Sequence, residues 1–192
     1  MSLELILESA RKVHKENSEL SEFVAWPDDL VKVDQPSEKI PATELVSKFE
    51  LRGTEKTQNL LEIIKENTSL VNWQRTYKEE EVGSDFLNRY GYYELIGPEG
   101  HYHSNKIRGF IAYWGEELTY DWHSHEAEEI YFILAGSGLF RTKEGEKLLK
   151  ANETCFHKSW QSHSMITSSE PILTFVLWRG KGMDTLSMMD KK

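Results

Sequence analysis

Cysteine and long apolar runs are scarce in this sequence of 192 residues, and each scarcity excludes a class of protein. A single cysteine, Cys155, rules out an intrachain disulfide and suits a reducing compartment. The N-terminal stretch does not join positive charge to an apolar run, and nothing approaches the roughly 18 apolar residues of a membrane span. We therefore expect a cytoplasmic protein with neither a signal peptide nor a membrane partner.

Basic side chains are also in deficit, with 23 Lys and Arg against 32 Asp and Glu and a net charge of -9. Non-specific binding to nucleic acid needs basic patches that displace counterions, so a nucleic-acid partner is not expected. The hydrophobic share of 39% and the charged share of 29% fit a globular protein, and the length favours one domain with an appendage. Six Trp, eight Tyr and eight Phe supply enough aromatic mass for a core or a lined pocket.

The first ninety residues show the spacing of apolar side chains that is typical of helices. Apolar residues recur at helical intervals in segments 2–13, 43–49 and 57–65, and Ser2 is a suitable cap for the first of them. Prolines at positions 27, 36 and 41 interrupt the segment between the first two helices. We predict a helical region over residues 1–90.

Beyond about Tyr92, short apolar or alternating runs bounded by glycines replace the helical spacing. These runs cover residues 92–97, 107–115, 129–136, 138–142, 146–150 and 172–178. Strands at such spacing, with turn signals between them, indicate a sandwich or barrel, and segments 136–138 and 144–145 are predicted hairpin turns. The expected fold is mainly β, with the helical region packed on a β-barrel of residues 91–192 as one structural unit.

The most informative segment reads H-x-H-x3-E-x-Y-x4-G over residues 123–136. Successive side chains on a strand point to opposite faces, so residues of one parity share a face. A pair of strands carrying this run would direct four polar side chains into one interior: His123, His125, Glu129 and Tyr131. This is the composition of a metal site inside a small barrel.

A further ligand is expected one hairpin later, where His163 is the best candidate. Imidazole and carboxylate together bind divalent transition metals, and a catalytic site leaves one position open for water or substrate. We predict ligation by His125, Glu129 and His163, because a buried ionised glutamate otherwise needs a partner. His123 is either a fourth ligand or a group that orients a ligand or the substrate.

Three other histidines have weaker claims to the site. His101 and His103 share the H-x-H spacing, but no carboxylate follows at a suitable distance, and we place them in a loop at the surface or at a pocket rim. His157 has the same parity as His163 and is held in reserve. His14 lies in a helical segment and is expected at the surface.

The pattern H-x-H-x3-E-x6-G, followed by a lone His163, resembles the two motifs of the cupin superfamily. His123, His125, Glu129 and Gly136 match the first motif. The glycine that usually opens that motif is displaced, and the second motif lacks its usual proline and glycine. These departures leave the fold intact but argue against an ordinary sugar-isomerase or dioxygenase cupin.

A closer resemblance covers most of the chain. The run Y-D-W-H-S-H-E-A-E-E-I-Y from Tyr120 to Tyr131, the segment F-H-K-S-W-Q-S-H that ends at His163, and the late Trp178 resemble the cupin-type dimethylsulfoniopropionate (DMSP) lyases, particularly the Q-type. The helical N-terminal region is also similar to theirs. The resemblance implies a cupin double-stranded β-helix, or jelly-roll barrel, with an N-terminal helical region.

The implied activity is that of a carbon–sulfur lyase, which splits DMSP into dimethyl sulfide and acrylate by β-elimination. Tyr131 is the implied general base, and it could also ligate the metal as a tyrosinate. Tyr120 and His123 are further candidates for the catalytic machinery, and with Trp178 they are candidates for binding the zwitterionic sulfonium substrate. One divalent transition metal is implied, Zn²⁺ or Fe²⁺, with Mn²⁺, Co²⁺ and Ni²⁺ as alternatives.

Two other functions compete with this one. Another metallo-cupin enzyme, such as a small-acid isomerase or an iron(II) oxygenase, would use the same ligands. A cupin without catalytic activity that binds a small ligand would keep the barrel and the pocket. Cupins often pair through their sheets, so a homodimer is left open.

Overall fold

The computed structural model describes residues 2–190, so Met1 and the last two residues of the predicted barrel, Lys191 and Lys192, lie outside the described residues. Six α-helices and one 3₁₀ turn are found within it. They are α1 (Leu3–Glu16), α2 (Ser18–Phe23), α3 (Pro41–Ser47), α4 (Gln58–Glu66), α5 (Glu79–Val82), α6 (Ser84–Arg89) and the turn Thr68–Leu70. Every one of these helices precedes Tyr90.

The helix boundaries follow local capping chemistry. The Ser2 hydroxyl accepts a hydrogen bond from the Leu5 amide at 3.3 Å and begins α1, as the sequence predicted. Asn17 ends α1 and caps α2, because its side-chain oxygen accepts the Leu20 amide at 3.0 Å. The helices predicted at 43–49 and 57–65 correspond to α3 and α4. None of the helices within residues 2–190 has the length and hydropathy to cross a membrane.

Twelve strands are present within the described residues. They are β1 (Val31–Lys32), β2 (Tyr90–Ile96), β3 (Tyr102–His103), β4 (Arg108–Trp114), β5 (Thr119–Ser124), β6 (Glu128–Ala135), β7 (Ser137–Thr142), β8 (Gly145–Lys150), β9 (Thr154–His157), β10 (His163–Thr167), β11 (Ile172–Arg179) and β12 (Met188–Met189). A seven-stranded sheet has the order β1-β3-β2-β4-β11-β6-β9, and a five-stranded sheet has the order β12-β5-β10-β7-β8. The chain is therefore mainly β, as predicted.

The central strands of the seven-stranded sheet, β2, β4, β11 and β6, are buried on both faces. Along β11, Phe175 and Leu177 join the core cluster that contains the helices, whereas Val176 and Trp178 join the cluster between the two sheets. Such strands appear in the sequence as nearly continuous apolar runs. The helices thus cover the outer face of this sheet, and its inner face is free to form the site. β1, which lies inside the region predicted to be helical, pairs with β3 at the sheet edge.

Three local predictions require correction or refinement. Segment 136–138 is not a hairpin, because β6 and β7 belong to different sheets and Gly136, with φ of +80°, carries the chain between them. The hairpin at 144–145 is confirmed by the pairing of β7 with β8. His14 and His101 are buried, at 3% and 1% exposure, and not at the surface. His14 Nε2 donates to the Val24 carbonyl at 2.8 Å, and His101 Nε2 accepts the Asn72 amide at 3.0 Å.

Candidate metal centre and active site

Three buried side chains from both sheets meet inside the barrel. His125 follows the end of β5, Glu129 lies on β6 of the seven-stranded sheet, and His163 begins β10 of the five-stranded sheet. One ligand atom from each lies within 4.8 Å of the others, and each residue is about 2% exposed. The structure thus brings together the three residues that the sequence predicted as ligands.

The hydrogen bonds around these side chains prepare them for a cation. His125 Nδ1 lies 2.9 Å from the Ala127 carbonyl and His163 Nδ1 lies 2.7 Å from the Gln161 carbonyl. Because a carbonyl only accepts, each Nδ1 carries the proton and each Nε2 of the neutral ring presents a lone pair. These Nε2 atoms lie 3.2 Å and 3.1 Å from the same Glu129 oxygen. Two lone pairs and a carboxylate repel one another unless a cation lies among them, so the residues fit a divalent transition metal.

Trp178 holds the other oxygen of Glu129. Its indole Nε1 donates to Glu129 Oε1 at 2.7 Å, and its ring stacks on His125 with 4.1 Å between centroids. Burial alone would raise the pKa of Glu129, but His125 and His163, when their rings are protonated in the absence of a metal, hold that pKa well below its usual value through their charge and hydrogen bonds. Glu129 is therefore a carboxylate fixed in position from two sides.

His123 lies beside this group but outside it. Its Nδ1 donates to the Asp121 carbonyl at 2.8 Å, and its Nε2 is buried without a hydrogen-bond partner among residues 2–190. The ring stacks on Tyr120 at 3.9 Å and lies 4.1 Å from the His163 ring. Burial, followed by the neighbouring His163, lowers the pKa of His123 well below its usual value. The ring is thus neutral, with an available acceptor nitrogen.

Tyr131 lies two residues after Glu129 on the same face of β6, as the alternation predicted. Its ring packs against Phe140 at 5.2 Å and against His157 at 5.8 Å. Burial, and secondarily the charge of Glu129, raises the pKa of Tyr131 well above that of free tyrosine. A nearby cation has the opposite effect on a phenol, so the ionisation of this residue depends on the occupant of the site.

An aromatic cavity of about 50 Å³ adjoins Glu129. Its wall includes seven aromatic side chains: Tyr90, Tyr92, Phe110, Trp114, Tyr120, Tyr131 and Trp178. The rest of the lining is formed by Ala112 and Val176, by Thr76 from the segment before α5, and by Leu186 and Ser187 near the C-terminus. The cavity combines a possible metal position with electron-rich aromatic rings, which attract cations.

Two contacts of this site could not be predicted from the sequence. The Tyr77 hydroxyl lies 2.6 Å from that of Tyr120, although 43 residues separate the two. His157, held in reserve, is fully buried and lies parallel to the His163 ring at 4.0 Å. Burial is the first cause that lowers the pKa of His157 to about 3, so this ring is neutral. Periodicity gives no signal for such contacts, since they arise only when the sheets and the N-terminal region pack together.

The fold has solved counterparts among cupins. A cupin-2 domain protein, Rru_A2000 from Rhodospirillum rubrum, superposes with a TM-score of 0.51 at 11% identity, covering 64% of this chain and 76% of that one. At that identity the likeness concerns the fold alone, and the predicted cupin barrel is confirmed.

More similar proteins share the N-terminal region as well. DMSP lyase DddQ from Ruegeria pomeroyi is 32% identical over 91% of this chain and 88% of its own, and its crystal structure superposes with a TM-score of 0.92 at 29% identity, covering 97% of this chain and 95% of that one. A chain from the crystal structures of the DMSP lyases RdDddP and RnDddQII reaches a TM-score of 0.96 at 36% identity, with 98% and 97% covered. The family model described as dimethylsulfoniopropionate lyase matches residues 14–174. The chain belongs to the dimethylsulfoniopropionate lyase family.

Proposed function

We propose that this protein cleaves DMSP to dimethyl sulfide and acrylate by β-elimination, and that His125, Glu129 and His163 hold a divalent transition metal needed for the reaction. Membership of the DMSP lyase family supports the substrate and the reaction class. The observation that carries the metal dependence is the group of two imidazole nitrogens around one buried carboxylate oxygen.

The two ends of DMSP are matched by different parts of the cavity. A metal bound by the three residues, with Tyr131 as a further ligand, would act as a Lewis acid on the substrate carboxylate and would lower the pKa of the adjacent phenol. The sulfonium has no proton to donate, and it is attracted to aromatic faces without needing a hydrogen bond. Tyr120 and Trp178 are the aromatic residues proposed for this role, and both line the cavity.

Tyr131 is proposed as the general base. Its phenolate oxygen removes the proton on the carbon next to the carboxylate, and the electrons of that C–H bond form the C=C bond of acrylate. The C–S bond breaks, and dimethyl sulfide leaves with the electron pair. The products are acrylate, dimethyl sulfide and a protonated Tyr131, which must lose its proton before the next cycle. Burial of the ring keeps water from competing for this proton transfer.

Tyr120 and His123 are proposed to position the substrate. The Tyr120 hydroxyl is restrained by Tyr77 at 2.6 Å, and its ring is restrained by the stack with His123. The unpartnered Nε2 of His123 can accept a hydrogen bond inside the site. Restraint of this kind lowers the barrier by holding the substrate in a reactive orientation.

The remaining expectations belong to the same proposal. Zn²⁺ or Fe²⁺ is the expected metal, because imidazole and carboxylate suit both. The unpaired Cys155 supports a cytoplasmic location. A homodimer is to be tested by light scattering coupled to size-exclusion chromatography.

The decisive experiment is an assay of purified protein whose metal content has been quantified. Addition of DMSP should release dimethyl sulfide and acrylate in equal amounts, without consuming oxygen. Chelation should abolish the release, and Zn²⁺ or Fe²⁺ should restore it. Oxygen consumption would indicate an oxygenase instead, and binding of DMSP by the metal-loaded protein without turnover would indicate a ligand-binding cupin.

A further inference from the structure

Four residues in the wall of the cavity lie beyond the span matched by the family model, which ends at residue 174: Val176 and Trp178 on β11, and Leu186 and Ser187 after that strand. We propose that Leu186 determines which alkyl groups the sulfonium end of the substrate can carry. The inference rests on the proposed lyase function and assigns a specificity role to the C-terminal segment, defined here as residues 183–190.

A buried arginine binds the first residues of the C-terminal segment. Arg108 Nη1 donates to the carbonyls of Met183 and Thr185, each at 2.8 Å. The guanidinium is itself fixed by Glu94, with Nη2 and Nε at 2.5 Å and 3.0 Å from one carboxylate oxygen, and both side chains are at most 5% exposed. Charge-assisted hydrogen bonds of this kind are stronger than neutral ones, so residues 183–185 are firmly held.

The other end is attached to β5, which carries His123, and to Ser162, the residue before β10. Met188 and Met189 form β12, which pairs with Ser124 and His123 of β5. The Asp190 carboxylate accepts hydrogen bonds from the Ser124 hydroxyl at 3.0 Å and from the Ser162 hydroxyl. The only residues between the two attachments are Leu186 and Ser187, whose positions over the cavity are thereby fixed.

Leu186 lies at the boundary between the cavity and solvent. It lines the cavity, yet 44% of it remains exposed, so one side of the side chain faces inward and the other faces water. A metal held by Glu129 and its two histidine neighbours would bind the carboxylate end of the zwitterion. The sulfonium end must then lie farther along the cavity, where Leu186 is the aliphatic side chain at the mouth. A branched aliphatic side chain there contacts S-methyl groups favourably and limits the space for larger ones.

The test compares DMSP with its diethyl analogue, 3-(diethylsulfonio)propanoate. Leu186→Ala should raise the ratio of kcat/KM for the diethyl compound to that for DMSP by about tenfold or more, since one methylene in an apolar pocket changes selectivity by about 10–200-fold. Met188→Ala is the matched control, because Met188 is an exposed apolar residue of the same segment that does not line the cavity. For this variant, the ratio of kcat/KM for the diethyl compound to that for DMSP should equal the wild-type ratio.

Binding gives a second readout that does not depend on turnover. In a Tyr131→Phe background, calorimetric titration with each sulfonium compound should show the same shift in the ratio of Kd values when Leu186→Ala is added. An unchanged ratio in both measurements, with wild-type protein releasing dimethyl sulfide, would overturn the role of Leu186 and leave the lyase function intact. Wild-type protein that releases no dimethyl sulfide would refute the lyase function, while the titration would still decide whether Leu186 selects between the two ligands.

Discussion

At the scale of single residues, the two side chains beside Glu129 have separable tasks. Trp178 donates a hydrogen bond to Glu129 and stacks on His125, so it fixes the metal-binding group without needing to react. Tyr131 has an ionisable hydroxyl on the same face of β6, where the proposed reaction requires a base. Substitutions that remove the indole N–H of Trp178 or the hydroxyl of Tyr131 should therefore affect metal binding and proton transfer separately.

Tyr131→Phe should reduce the release of dimethyl sulfide by at least about 100-fold, the lower end of the range for a general base. The phenyl ring keeps its packing against Phe140, so the fold and most of the metal content should be retained. Gas chromatography of the headspace and elemental analysis of the protein measure the two quantities. Tyr93→Phe is the control, because Tyr93 is equally buried and belongs to the cluster on the helical side of the sheet. A fully active Tyr131→Phe variant would exclude the proposed mechanism.

Trp178→Phe should weaken metal binding by about 10–100-fold, the usual cost of losing a partner that orients a ligand. The phenyl ring can still pack on His125, but the 2.7 Å hydrogen bond to Glu129 is lost. Competition with a fluorescent chelator measures the metal Kd. Trp73→Phe removes a comparable buried indole hydrogen bond, to the Thr68 carbonyl at 3.0 Å, away from the site. If both variants bound metal equally well, Trp178 would have no such role.

At the scale of the elements, the alternation along β6 was the most reliable guide in the sequence. It predicted that Glu129 and Tyr131 share a face, and the backbone pairing of β6 on both sides imposes that geometry. The turn at Gly136 was predicted wrongly, because a glycine signals a change of direction but not the sheet that the chain joins next. The burial of His14 was missed as well, since a helical pattern does not reveal what packs on the polar face.

His14, on α1, should make the stability of the folded protein depend on pH. Burial lowers the pKa of His14 below the usual value, so the folded protein binds a proton there less readily than the unfolded chain. The stability that depends on the neutral ring is present above about pH 6.5, the value for unfolded histidine, and is lost as the pH falls below it.

The comparison of wild type with His14→Gln isolates this effect, because every other titrating group is common to both proteins. Urea unfolding at pH 7.5 and pH 5.5 should show that the wild type is the more stable protein at pH 7.5 and that its advantage shrinks at pH 5.5. Glutamine can donate a hydrogen bond to the Val24 carbonyl but does not titrate. A difference in the free energy of unfolding that stayed constant between the two pH values would contradict the assignment.

At the scale of the whole molecule, the site takes residues from both regions of the structural unit that the sequence predicted. The predicted division into residues 1–90 and 91–192 placed the site in the barrel half, and that division stays a prediction. Thr76 and Tyr90, however, line the cavity from within the first ninety residues, and Leu186 lines it from the far end. Local patterns could not predict this meeting, because it depends on how distant segments pack.

Metal bound by Glu129 and His163 would connect the two sheets, so its removal should destabilise the whole domain. At metal concentrations 100–1,000 times the Kd, binding stabilises a folded protein by about 2.7–4.1 kcal/mol. For a domain of this size that corresponds to about 5–15 °C in Tm. Differential scanning calorimetry with added Zn²⁺ and with EDTA measures the shift. As the control, His163→Ala should unfold at the same temperature in both conditions. A wild-type Tm that did not change on addition of EDTA would contradict metal binding.

The pairing of β6 with β11 on one side and β9 on the other also limits which insertions and deletions this strand can tolerate. An inserted or deleted residue between Glu129 and Tyr131 would shift one of them to the opposite face, from the barrel interior toward the helices, while its neighbours kept their hydrogen bonds. Substitutions elsewhere on the strand have no such effect. Insertions and deletions should accumulate in exposed turns such as residues 143–144 between β7 and β8, and the number of residues in β6 should be less tolerant of mutation than their identity.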